Sequence, residues 1–119
     1  MNLHGRPTSE ELVEAVREFL ERDVMEATEG RIQFHTRVAI NVLGMVQREI
    51  ELGAAQELAH QERLDTLGFE SDADLAAAIR RGDIDGRDDE IKSAVYDSVV
   101  DKLRVANPKY LDPSSAFVR

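Results

Sequence analysis

The sequence has no cysteine, only three prolines and no apolar run approaching the roughly 18 residues of a membrane-spanning helix. Without cysteine there is no disulfide, no thiolate zinc site and no thiol nucleophile, a usage that suits a reducing cytoplasm without excluding secretion. Met1 to Pro7 carries one arginine and no apolar segment behind it, so no signal peptide is expected and no membrane partner. Basic charge is scarce as well: 15 Lys and Arg stand against 24 Asp and Glu, for a formal net charge of -9. The average field of such a chain repels phosphate backbones, so nucleic acid is not expected as a partner. Arg31, Arg37 and Arg48 are the nearest thing to a basic patch, and they are spread along one segment. No internal repeat or low-complexity tract is present, and no segment shows the period-two alternation of a strand.

What the chain does have is helical periodicity with well-marked ends. At 119 residues it fits a single domain, and we expect an all-α bundle of about five helices over 1–119, with irregular termini at 1–7 and 109–119. Thr8 and Glu11 have the spacing of a capping box, opening a first helix whose Leu12, Val16, Phe19, Leu20 and Val24 share one arc. Glu14, Arg17, Glu18 and Glu21 take the other side. Gly30 precedes the longest periodic segment, Arg31 to Leu52, in which Ile32, His35, Val38, Ala39, Val42, Leu43, Val46 and Ile50 form one stripe, with Gly53 as its stop. This second helix is expected to be central. A third helix, roughly Ala54 to Leu67, ends at Gly68; a short fourth, Leu75 to Arg81, is fed by the cap-like start Ser71-Asp72-Ala73-Asp74 and stops at Gly82; a fifth, capped by Asp85, carries Ile91, Val95, Val99, Leu103 and Ala106 until Asn107-Pro108. The C-terminal remainder holds Tyr110 and Phe117.

Several constellations invite chemistry. Glu57 and His60 have the Glu-x-x-His spacing that sets two metal ligands on one helix face, but a carboxylate-bridged site needs a second pair, and neither His4 nor His35 supplies one. No metal or other cofactor is expected. The acidic run Asp83, Asp85, Asp88, Asp89 and Glu90 fails the calcium-loop pattern at Arg87 and Asp88, and reads instead as a helix start. No nucleophile elbow and no phosphate-cradling glycine loop exists, so no catalytic residue is assigned. His35, inside the apolar stripe, is the one titratable group expected to be partly buried, and reads more readily as a core residue than as a tuned base. Arg37 and Asn41, one turn apart, offer donors to a carboxylate or phosphate, or brace the acidic first helix. Gly44, on the face opposite His35, either is solvated or leaves room for another helix, from this chain or a second copy in a homodimer.

The residues Arg6-Pro7-Thr8, Leu12 to Leu20, Glu29-Gly30-Arg31, Phe34-His35, Arg37-Val38-Ala39, Asn41-Val42-Leu43 and Arg48-Glu49, with Ile79 to Asp85 and Asn107-Pro108-Lys109-Tyr110, together resemble a family of small bacterial proteins known as a domain of unknown function. Members of that family are commonly encoded beside, or fused to, aminoglycoside-phosphotransferase-like kinases, and near acyl-CoA dehydrogenases. The resemblance brings no catalytic residues. It implies a bacterial cytoplasmic protein working alongside a kinase-like enzyme, in acyl-CoA or related catabolism. Two functions are therefore expected to compete: a non-enzymatic accessory module acting with a phosphotransferase-like partner or itself, and a bundle binding an acyl or phosphorylated ligand in a pocket lined by Arg31, His35, Arg37 and Asn41.

Overall fold

Helices are the only regular elements among the described residues of the computed structural model, which are 3 and 5–114. Helix α1, Ser9–Phe19, starts at the expected capping box: the Glu11 backbone N–H donates to Thr8 Oγ1 at 3.1 Å and the Thr8 N–H to Glu11 Oε1 at 3.2 Å. It runs into a π-helical turn, Leu20–Val24, and a last α-turn, Met25–Ala27. Helix α2 is Gly30–Leu67, α3 is Asp72–Arg81 and α4 is Asp88–Ala106, followed by the 3₁₀ turn Pro108–Leu111. Asp112 follows, its carboxyl held below the usual range by the Ser114 backbone N–H and then the Ser114 hydroxyl. Phe117 lies outside the described residues.

The five separate helices expected are not found, because the second and third are one continuous element of 38 residues. Gly53 does not stop it. Its φ is not positive, and it is followed by Ala54, Ala55, Gln56, Glu57, Leu58 and Ala59, all good helix formers. One interior glycine costs about 1 kcal/mol, and no cap or proline offers the backbone another partner. The true stop is Gly68 at φ +87°, where the Phe69 N–H returns to the Leu64 carbonyl at 2.9 Å and the Gly68 N–H to Asp65 at 3.0 Å. Ser71 caps α3 through the Asp74 N–H, and Gly82 at φ +77° closes it. Asp85 lies in the turn before α4 and does not cap it: Arg87 holds the N-cap position, and no side chain bonds there.

The chain divides into two compact units, Met1–Gly53 and Ala54–Arg119. The second has an apolar core of Leu64, Leu67, Leu75 and Ile91, with Phe69, Ile84 and Ala94 packed against it. Arg87 secures its edge, donating from Nη2 to the Leu67 carbonyl at 2.7 Å with its guanidinium 5.8 Å from the Phe69 ring centroid.

The first unit is built differently. α1 and the first part of α2 run antiparallel, since Gln33 bonds the Met25 and Thr28 carbonyls near the turn, while Gln47 meets Glu14 and Arg17 farther along. Among the described residues its buried ones are Thr36, Ile40 and Gly44, and Ile40 is the one large hydrophobic side chain of the three. Helix α1 therefore does not cover the apolar stripe of α2. It lies on the neighbouring face, where Thr36 returns its hydroxyl to the Ile32 carbonyl and Gly44 lets the Arg17 side chain come close. The expected burial of His35 fails for this reason: with α1 on the Thr36, Ile40 and Gly44 face, His35 is exposed.

Candidate functional site

Helix α2 carries the four residues singled out as a pocket, and it sets them apart. Arg31 and His35 are one turn apart on one side; Arg37 and Asn41 are one turn apart on another, about 120° around the helix. All four are exposed. The His35 ring meets the edge of Phe34 at 5.4 Å and 77°. Neither Arg31 nor Arg37 has an ion pair among the described residues.

A denser polar cluster lies in the second unit, centred on His60. His60 Nδ1 is 2.7 Å from Ser98 Oγ on α4, and Nε2 is 2.7 Å from Asp72 Oδ1 in the first turn of α3. Arg63, one turn on, donates from Nη1 to Ser98 Oγ at 3.0 Å and from Nη2 to Asp101 Oδ2 at 3.1 Å. Gln56, one turn earlier, donates to the Asp101 carbonyl at 2.8 Å. Every donor finds an acceptor if Ser98 accepts from Arg63 and donates to Nδ1, which leaves the Nε2 proton facing Asp72.

The order Ser98, His60, Asp72 is that of a hydrolytic triad, but the surroundings are those of a clamp. Ser98 sits well inside α4, where the backbone N–H groups are spent on the helix and none is free to hold an oxyanion. Its oxygen is already taken by Arg63. The cluster ties α2 to α3 and α4, and both nitrogens of His60 are engaged in it. Among the described residues no three His, Asp or Glu side chains converge on a point.

Beside the clamp, an open groove of about 530 Å³ runs between α2 and α4. Its floor is Ala59, Leu67 and Ala94, and Glu62, Glu90 and Asp97 make its margin acidic, with Arg63 the one basic residue. The first unit instead presents apolar side chains to the outside. Leu12, Val16 and Phe19 on α1 are 52–56% exposed, and Val42 and Ile50 on α2 are 50% and 43%. No helix among the described residues is long and apolar enough to cross a membrane.

Sequence reasoning found the Glu57 and His60 spacing but missed the partners of His60, which come from 12 and 38 residues away. The available signal was the polar row Gln56, His60 and Arg63, at helical spacing beside Leu64 and Leu67. No curated protein and no solved structure matches the chain. A domain of unknown function, DUF6285, matches over residues 26–110, from the last turn before α2 through the 3₁₀ turn, and on that match the chain belongs to the DUF6285 family.

Proposed function

We propose that this chain is a non-enzymatic accessory module that works by binding other proteins, with a phosphotransferase-like kinase as its partner. The observation that carries the reading is the first unit's outward apolar surface. A two-helix unit whose internal seam joins Glu14, Arg17 and Gln47 with half-buried Val13, Leu20 and Leu43, and in which Ile40 is the one large hydrophobe fully buried among the described residues, gains little from its own interior. The apolar side chains that would stabilise it face outward, where contact with a partner or with a second copy of the chain buries them. The partner's class comes from the family resemblance, in which such kinases are encoded alongside. The acidic groove of the second unit offers that partner a separate surface, suited to a basic or amide-rich segment.

Co-expression of the chain with the neighbouring kinase-like protein, followed by sizing chromatography at micromolar concentration, tests the reading. A shared peak is expected. Two independent single-protein peaks would defeat it.

The competing reading, a ligand pocket near His35, needs Arg31, His35, Arg37 and Asn41 to converge, and their exposure on two sides of α2 weighs against it. Acyl-CoA, nucleotide and phosphate compounds added in a thermal-shift series are expected to leave the melting temperature unchanged. A ligand at 100 times its Kd would add about 2.7 kcal/mol, and a shift of that size would restore the pocket.

A further inference from the structure

We infer that the apolar face of the first unit is an isologous interface, covered by the same face of a second copy of this chain, so that two α1–α2 hairpins form a four-helix bundle. The inference rests on the interaction-module reading above and names the occupant of one of its surfaces.

Helical geometry puts the exposed rows on one side of the hairpin. At 100° per residue, Leu12, Val16 and Phe19 lie about 100° from the arc of α1 that meets α2, the arc of Val13, Arg17 and Leu20. Val42, Val46 and Ile50 lie about 115° from the Thr36, Ile40 and Gly44 arc that meets α1, and in the same rotational sense. For two antiparallel helices, equal offsets in the same sense bring both rows to one face. Met45 and Phe34, also exposed, fall on the other face.

The area fits a second copy. Six side chains at 37–56% exposure, on the order of 80 Å² each, offer about 500 Å² of apolar surface per copy, and Ile32 at the edge raises this to about 600 Å². With a polar rim, that approaches the roughly 800 Å² each partner gives to a standard interface. A twofold pairing covers this face on both copies at once, which closes the assembly at two.

Charge sets the arrangement within the pair. Residues 9–29 hold eight acidic and two basic side chains, whereas residues 30–48 hold three arginines and no acid. Stacking α1 on α1 would oppose like charges across the interface; stacking α1 of one copy over α2 of the other sets opposite signs together. Arg31, at the edge of the face and without an ion pair among the described residues, is the residue placed to meet the acidic helix of the second copy.

The full chain at 50 µM, measured by sedimentation or light scattering, is expected to have twice its 13.4 kDa mass. Val46→Glu and Met45→Glu alter adjacent residues, both 37% exposed, on opposite faces. Val46→Glu is expected to weaken self-association at least 100-fold while keeping its helical circular dichroism, and Met45→Glu to leave it unchanged. Because the native chain has no cysteine, Val46→Cys and Met45→Cys with a flexible bis-maleimide provide a readout that does not depend on the charged variant folding. A covalent dimer is expected from the first and not from the second. A 13.4 kDa mass for the wild-type chain, or a dimer cross-linked through Met45→Cys and not Val46→Cys, overturns the inference. Co-elution of such a monomer with the kinase-like protein would show that only self-association had failed, and that the interaction reading stands.

Discussion

Arg87 joins separate parts of the second unit through one guanidinium. It satisfies a carbonyl at the C-terminal end of α2, covers the Phe69 ring and pairs with Glu90 at 3.3 Å in the first turn of α4. Hydrogen bonds from charged donors contribute about 1.5–3 kcal/mol, and a half-exposed group sits at the low end of that range. Arg87→Ala is therefore expected to lower stability by about 1–2 kcal/mol, seen as a reduced urea midpoint with an unchanged slope. Arg87→Lys should recover less than half of the loss, since an ammonium keeps the charge but neither the flat stack nor the fork. His60 is the second such residue. Its replacement by Ala removes both bonds of the clamp, at a cost of about 1–2 kcal/mol, but leaves Arg63 bound to Ser98 and Asp101. Were His60 a metal ligand instead, added zinc would raise the melting temperature of the wild type and not of His60→Ala; no difference is expected.

Helix ends were legible in the sequence because caps are local. Thr8 with Glu11, Ser71 before α3, Gly68 and Gly82 are each read from three or four neighbouring residues, and each does in the structure what its chemistry dictates. Gly53 misled because a glycine marks a stop only where the chain after it gives the backbone another conformation to adopt. Two opposite outcomes should follow at these glycines. Gly53→Ala adds a Cβ 3.5 Å from Glu49 Cγ, an ordinary contact, and is expected to raise stability by about 0.5–1 kcal/mol. Gly68→Ala finds open space, yet must hold φ +87°, and is expected to cost about 1 kcal/mol or more. Thermal unfolding of the two variants checks both signs. What the sequence could not show is which face of α2 its neighbour takes. Periodicity located the stripe of Val42, Val46 and Ile50 correctly as apolar, but an apolar face does not say which helix covers it. Thr36, Gly44 and Gln47, which do meet α1, look like a solvated side. His35 was misplaced by the same step, and the partners of His60 were out of reach because they belong to other helices.

At the scale of the molecule, the two units differ in what holds them together, and this is measurable. The second has an interior of Leu64, Leu67, Leu75 and Ile91, each under 8% exposed, and its helices are tied by the His60 clamp and by Arg87. The first, on the proposed pairing, draws its burial from another copy. Amide exchange should therefore report two kinds of protection. Around Leu64 to Ile91, protection should be independent of protein concentration. Along Ser9–Phe19, it should rise with concentration, because association adds RT ln(1 + [L]/Kd) to whatever opening must break the pair, about 2.7 kcal/mol when the chain is 100-fold above its dissociation constant. Val46→Glu should remove that rise and let α1 exchange quickly at every concentration, while the amides near Leu75 and Ile91 keep their wild-type rates. A hairpin stable by itself would instead show equal, concentration-independent protection of α1 in both proteins. That result would mean the seam of Glu14, Arg17, Ile40 and Gln47 suffices, and that the outward apolar rows do not hold this unit together.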